Sequence, residues 1–328
     1  TSADDPIRDI TVTYPGAPEG EIFRPEFLDR LSGVSVLRFM DWMDTNNSPI
    51  ATWDQRPRLE RYTQSEGGVA LELMVALANR ASIAPWFTLP HKADDDYVRR
   101  FAEYVRDNLD PALPVWVEHS NEVWNSLFDQ FKYALEQGQR LNLSSNEYEA
   151  GLRYHSRRTT EILTIWKEVF GDDKERVIGV YAAQAANPWT SEVIMSWEGA
   201  SDHADVLAVA PYFGGSLGDQ EHAPTVAGWS LDQLFDALTR EVDGQNREFI
   251  EQQAEIAKRY GVELVAYEGG QHLVGYSGPP ADKVLHEFFA KANRDPRMGD
   301  LYRRHIEHWR AAGGGTYAFF NSMGEYSQ

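Results

Sequence analysis

The sequence predicts an α/β protein built as a (β/α)8 TIM barrel, and three observations carry that expectation. Short β-branched or apolar runs alternate with longer amphipathic stretches, the pattern of βα units around a parallel sheet. Eight such runs occur, at 9–14, 34–40, 83–89, 114–119, 177–182, 205–212, 262–267 and 315–320. Several are apolar at consecutive positions, as strands with core on one side and helices on the other must be. No repeat or low-complexity linker divides the chain, and α/β barrels run as single domains at 328 residues, so residues 1–328 are read as one catalytic domain. An open doubly wound sheet is the alternative, but no glycine-rich phosphate loop follows the first run.

The intervening stretches 25–32, 68–81, 94–109, 146–170, 189–198, 230–260 and 281–312 carry apolar residues three and four apart, so they are read as helices. Asp94-Asp95-Asp96 suits the acidic first turn of a helix better than a metal site. Asp295-Pro296 splits 281–312 into two helices, because an interior proline lacks the N–H that a helix needs. No eighth helix is visible in the last eight residues, so the barrel is expected to stop soon after its eighth strand.

Asp and Glu total 51 against 31 Lys and Arg, a net charge of −20. Such a surface repels phosphates and anionic lipids, which excludes nucleic acid as a partner, and no apolar run approaches the roughly 18 residues of a membrane helix. With no cysteine, disulfides, thiolate metal sites and cysteine nucleophiles are all excluded. There is no HExxH or paired-histidine spacing, so neither metal nor other cofactor is expected. The chain opens with Thr1-Ser2-Ala3-Asp4-Asp5, read as a processed form of a secreted or periplasmic protein whose signal peptide lies outside this sequence.

In a barrel, chemistry sits at the C-terminal ends of strands. Polar residues gather there: Arg38 and Asp41 with Trp42 after the second run, His91 after the third, His119 to Asn125 after the fourth, Tyr212 after the sixth, Glu268 after the seventh and Asn321 after the eighth. Glu122 and Glu268 follow the fourth and seventh runs, whose tips face each other across a barrel mouth. Two carboxyls so placed can straddle a glycosidic bond, one protonating the leaving oxygen and the other attacking the anomeric carbon.

The Asn121-Glu122 pair and the strand-ending Glu268, with Arg38 and Tyr212, resemble glycoside hydrolase clan A, whose catalytic carboxylates stand on strands four and seven. Within that clan, VEHSNEVWN and LRFMDWMDTNNSPI are similar to bacterial proteins often labelled cellulose-binding. The resemblance implies Glu122 as acid/base, Glu268 as an ionised nucleophile, and Asn121 as a ligand of the sugar 2-hydroxyl. It also implies that Arg38 lowers the pKa of Glu268 and that Tyr212 hydrogen-bonds it. Clan members commonly carry a Trp at the end of strand eight, where this chain has Phe319-Phe320-Asn321.

Aromatic faces stack on sugar rings, which makes Trp42, Trp86 and Trp124 the subsite candidates, each equally suited to core packing. Trp53, Trp189 and Trp229 are weaker. His91 is read as contacting substrate or positioning a carboxylate, and Asp41 as binding a hydroxyl or orienting Arg38; His119 and His272 suit either support or polar filling. Asn46-Asn47-Ser48 and Asn187-Pro188 suit sugar recognition and turns alike. Gly214-Gly215-Ser216-Leu217-Gly218 matches GxSxG, but the expected polar loop after it is no nucleophile elbow. Long loops at 41–66, 120–146 and 213–229 can wall an extended cleft. These readings converge on a retaining, endo-acting hydrolase of a neutral β-linked polysaccharide; the alternatives are a transglycosylase with the same residues and a non-catalytic carbohydrate-binding barrel.

Overall fold

A computed structural model describes residues 16, 18, 20–275 and 281–321. Six strands form one parallel sheet in chain order: β1 (Val36–Arg38), β2 (Ala84–Leu89), β3 (Val115–His119), β4 (Val177–Ala182), β5 (Val206–Val209) and β6 (Glu263–Ala266). The expected run 315–320 is present as a single parallel bridge, Ala266 to Tyr317, supported by Ala318 N–H donating to Ala266 O at 3.0 Å. The expected run 9–14 lies outside the described residues, so a closed eight-strand barrel is not seen among them. β5 stops earlier than expected because Pro211 has no N–H to continue the ladder, and Tyr212 N–H turns back to Ala210 O at 2.9 Å.

The sheet nevertheless curls. Residues of β1 and of 316–321, at its opposite edges, line a common cavity of about 510 Å³. Arg38 at the end of β1 also reaches Glu268 just past β6. Strand alternation divides the side chains accordingly. Trp86, Trp116, Val180, Ala208, Val265 and Tyr267 form an inner cluster, while Phe87, Val117, Tyr181, Leu207 and Leu264 face the helices in the main core.

The helices are α1 (Pro25–Arg30), α2 (Leu71–Ala81), α3 (Asp95–Asn108), α4 (Asp129–Arg140), α5 (Glu147–Phe170), α6 (Pro188–Ser196), α7 (Ala223–Val226), α8 (Leu231–Glu241), α9 (Arg247–Tyr260), α10 (Ala281–Arg294) and α11 (Pro296–Ala311). Asp94 caps α3 by accepting Tyr97 N–H at 2.7 Å, which accounts for the acidic run. Asp295 caps α11 and Pro296 opens it, as the split at that dipeptide predicts. Residues 230–260 divide into α8 and α9 around a π-helical turn, Val242–Asn246. The stretches 120–146 and 213–229, read as open loops, contain α4 and α7. None of the described helices is long and apolar enough to cross a membrane.

α4 matters to the site because its Gln130 is buried behind it. Gln130 Nε2 donates to Asn46 Oδ1 and to Asn121 O, each at 2.8 Å, and Asn47 N–H donates to its Oε1 at 3.0 Å. The helix can sit there because Gly138 lies against the backbone of α5, where an added Cβ would collide with Ala150 O. Gly138→Ala gains roughly 0.5–1 kcal/mol of helix propensity. It loses about 1–3 kcal/mol to overpacking against backbone that cannot yield. The net effect expected is a loss of roughly 1–2 kcal/mol, measured by urea unfolding; unchanged or increased stability would show that the two helices separate without cost.

Candidate active site

Inward parity places Arg38, Trp86 and Glu118 on one face of the sheet, and cross-strand register brings them together: Arg38 pairs with Trp86, and Thr88 pairs with Glu118. Arg38 Nε donates to Glu118 Oε2 at 2.9 Å and Nη2 to Glu118 Oε1 at 2.8 Å, a bidentate pair. Trp86 Nε1 donates to the same Glu118 Oε2 at 2.8 Å. Glu118 is 0% exposed; burial pushes its carboxyl up, and the three hydrogen bonds from Arg38 and Trp86 oppose that cost. Arg38 spends its remaining donors upward, Nη2 to Asn121 Oδ1 at 2.8 Å and Nη1 to Glu268 Oε2 at 3.2 Å. Its guanidinium lies over the Tyr267 ring at 4.8 Å.

Past β3 the chain turns sharply. Ser120 and Glu122 both take positive φ, 61° and 42°, a region that costs a non-glycine residue roughly 1–2 kcal/mol. Backbone and side-chain bonds hold this turn: Ser120 N–H donates to Leu89 O at 2.8 Å, Asn125 N–H to Glu122 O at 2.8 Å, and Asn121 Nδ2 to Asn46 Oδ1 at 3.0 Å. The turn aims Glu122 at the mouth of the sheet. There Asn125 Nδ2 donates to its Oε2 at 2.7 Å and the Tyr267 hydroxyl to its Oε1 at 3.2 Å. Such strain, held by surrounding bonds, is the kind found at functional sites.

Glu122 and Glu268 line one cleft of about 730 Å³. Burial is the largest influence on both and raises both pKa values, Glu268 to about 7. Arg38 and the Tyr212 hydroxyl pull Glu268 down and repulsion from Glu122 and Glu118 pushes it up. The resemblance implied a lowered value; the net shift is upward, because burial outweighs Arg38, which commits two of its donors to Glu118 and offers Glu268 one. Burial raises the Tyr212 hydroxyl as well, with both glutamates adding to it, so Tyr212 remains a donor.

Of the residues singled out in the sequence, Arg38, Asn121, Glu122, Tyr212 and Glu268 meet at this mouth, and Trp124 and Asn321 line the same cleft. Four do not. Asp41 is exposed and borders the neighbouring cavity with Arg38. Trp42 packs against Phe39 and Phe27 at the edge of the main core. Trp86 is 0% exposed and stacks on Trp116 at 4.9 Å, so it offers no face to a sugar and instead holds Glu118. His91 is 2% exposed, packs edge-on to Tyr133 and does not line the cleft. His119 supports the turn from behind, its Nδ1 lying 2.9 Å from Nδ1 of the buried His155.

Glu118, Tyr267 and Gln130 were missed. Glu118 sits inside an otherwise apolar strand, VWVEH, and a charge at an inward strand position was the available signal. Tyr267 and Gln130 carried none, since their roles depend on which loops they meet. Among the described residues, no group of three or more His, Asp or Glu is arranged to hold a metal ion.

A buried carboxyl held near pH 7 makes a stability prediction with a definite sign. Between the ordinary value of 4.5 and about 7, folded Glu268 keeps a proton that the unfolded chain loses, so this group's contribution to stability falls as pH rises. Glu268→Gln removes that loss. The variant is expected to match the wild type near pH 4.5 and to exceed it by up to about 3 kcal/mol near pH 8, read from denaturant titrations at both pH values. A pH-independent difference would show that Glu268 does not titrate in this range.

No family model matches the chain, and no curated protein matches it, so the likeness to proteins labelled cellulose-binding is unsupported. Several solved glycoside hydrolases are similar to it at low identity. A family 51 arabinofuranosidase from Xanthomonas axonopodis pv. citri is 14% identical with a TM-score of 0.48, over 91% of this chain and 60% of that one. A fungal β-1,4-galactanase is 12% identical with a TM-score of 0.41, over 89% of this chain and 78% of that one. A modular family 26 endo-β-1,4-mannanase from Cellulomonas fimi is 13% identical with a TM-score of 0.41, over 90% of this chain and 66% of that one. The chain thus spans about 60% of the length of the arabinofuranosidase.

Proposed function

We propose that the protein is a retaining glycoside hydrolase acting by double displacement, with Glu122 as acid/base and Glu268 as nucleophile. The observation that carries this reading is the asymmetry of the pair. Glu268 has a cationic donor, Arg38, and a phenolic one, Tyr212, whereas the side-chain donors to Glu122 are the neutral Asn125 amide and Tyr267 hydroxyl. Burial and repulsion from Glu122 hold Glu268 up in the cleft, so the division of roles rests on these donors: Arg38 and Tyr212 are better suited to stabilise an anion on Glu268 than Asn125 and Tyr267 are on Glu122. Ionisation of Glu268 then raises the pKa of its neighbour by repulsion, which keeps the acid loaded.

In the first step Glu268 attacks the anomeric carbon while Glu122 gives its proton to the departing oxygen. In the second, Glu122 takes a proton from water, which displaces Glu268 and frees the sugar. Asn121, held by Arg38 and Asn46, presents its amide at the cleft for the 2-hydroxyl. Trp124 is the stacking surface that remains from the three considered. The cleft carries Glu122, Glu241 and Glu268 and, among the described residues lining it, no Lys or Arg. That supports a neutral β-linked polysaccharide, cut internally; since such polymers do not cross bilayers, the enzyme works outside the cytoplasm.

Reducing-end release from a panel of β-glycans tests the reading. Glu122→Ala and Glu268→Ala are each expected to lose at least about 10³-fold in kcat on the substrate that the wild type cleaves. Release surviving both substitutions would place the chemistry elsewhere, and binding without release by the wild type would favour a non-catalytic barrel. The pH profile of kcat/KM should be bell-shaped with its acid limb near 7, where Glu268 loses its proton. Glu118→Gln frees the charge of Arg38 for Glu268 and should move that limb to lower pH; an unmoved limb would mean that Glu118 has no hold on the nucleophile.

A further inference from the structure

The cleft contains a third carboxyl that the proposed mechanism does not use. Glu241 closes α8 and is followed by the π-helical turn Val242–Asn246, within which Gly244 leaves helical geometry at φ −102°, ψ −107°. In an α-helix, positions four apart drift around the axis by about 40° at each step. Here the chain kinks at Gly244 instead. Glu241, Gln245 and Phe249, four residues apart across that kink, all line the cleft. Asn246 anchors the turn to the segment that carries Tyr212, donating from Nδ2 to Tyr212 O at 2.9 Å.

Glu241 has no cationic partner among the described residues. Its Oε1 accepts Gly214 N–H at 2.8 Å, and among the described residues no Lys, Arg or His stands within ion-pair distance of it. His272, which also lines the cleft, is pushed by burial toward its neutral form and supplies no countercharge. Burial likewise pushes the Glu241 carboxyl up. A partly desolvated acceptor facing open space is costly unless donors arrive to fill it.

We propose that Glu241 is a sugar-binding residue, which accepts hydrogen bonds from hydroxyl or ammonium groups on the unit next to the one cleaved, and which bars a uronic acid there. This rests on the hydrolase reading and narrows its substrate class to glycans whose adjoining unit is neutral or amino-substituted.

The test compares wild type, Glu241→Ala and Glu241→Gln on a neutral β-glucan, a glucosamine polymer and a carboxylated glucan. Glu241→Ala should raise KM about tenfold or more on the polymer cleaved, with kcat held within about threefold, because binding away from the reacting centre is lost. Glu241→Gln keeps an acceptor oxygen but no charge: retained KM identifies a hydroxyl donor, and a tenfold rise an ammonium. The carboxylated polymer should be at least about tenfold poorer than the neutral one for wild type, and less so for Glu241→Gln. An unchanged KM in Glu241→Ala, or equal use of the carboxylated polymer by wild type, overturns the proposal. If the wild type cleaves nothing, the hydrolase reading fails instead. Calorimetric binding of the same polymers then decides Glu241 separately: weakening in Glu241→Ala supports the subsite, and unchanged or absent binding overturns it.

Discussion

The arrangement at the mouth of the sheet hangs on the buried pair of Arg38 and Glu118. Taking two charges out of water costs several kcal/mol for each ion, and only near-complete hydrogen bonding repays it. The bidentate contact and the Trp86 indole satisfy Glu118 from below. With its base fixed, the guanidinium has three donors left, two of which it aims at Asn121 and Glu268. One cation from the edge strand thus ties β1 to β3 and to the segment after β6, and the curl of the sheet is what brings those three within its reach.

The same pair sets the electrostatics above it. A free arginine beside Glu268 would hold that carboxyl down. Here much of its charge is answered by Glu118, burial prevails, and Glu268 stays high. Burial thereby raises both carboxyls, Glu268 to about 7, which eases the repulsion between two anions in one cleft. The strained turn at Ser120 and Glu122 belongs to the same economy of parts, since a relaxed backbone would not point Glu122 at the same space as Glu268. His119 with His155 below, and Gln130 with Asn46 behind, hold that turn in place.

Helix and strand positions were legible because each depends on local pattern: alternation in the strands, spacings of three and four in the helices, and Asp94 or Asp295 at the caps. The site was legible in part for a similar reason. Arg38, Asn121, Glu122, Tyr212 and Glu268 stand just past strand ends, and strand ends converge in any curled parallel sheet. The aromatic and histidine candidates fared worse. Trp86, Trp42 and His91 sit as near to strand ends as Trp124 does, yet parity and the neighbouring loops turn them into the core, and position along the chain carries no record of that.

What the sequence determined by itself was the order of βα units, the strand ends on which the carboxyls stand, and the acidic, cysteine-free character that limits partners and chemistry. These follow from periodicity and composition, which are properties of the chain. Tertiary structure decided that Glu118 takes two donors of Arg38, that Tyr267 reaches across to Glu122, that α4 occupies what read as open loop, and that Glu241 faces the cleft without a counter-ion among the described residues. Each of these depends on which residues far apart in the chain share a volume and how much water they exclude, and burial of that kind exists only once the sheet has curled.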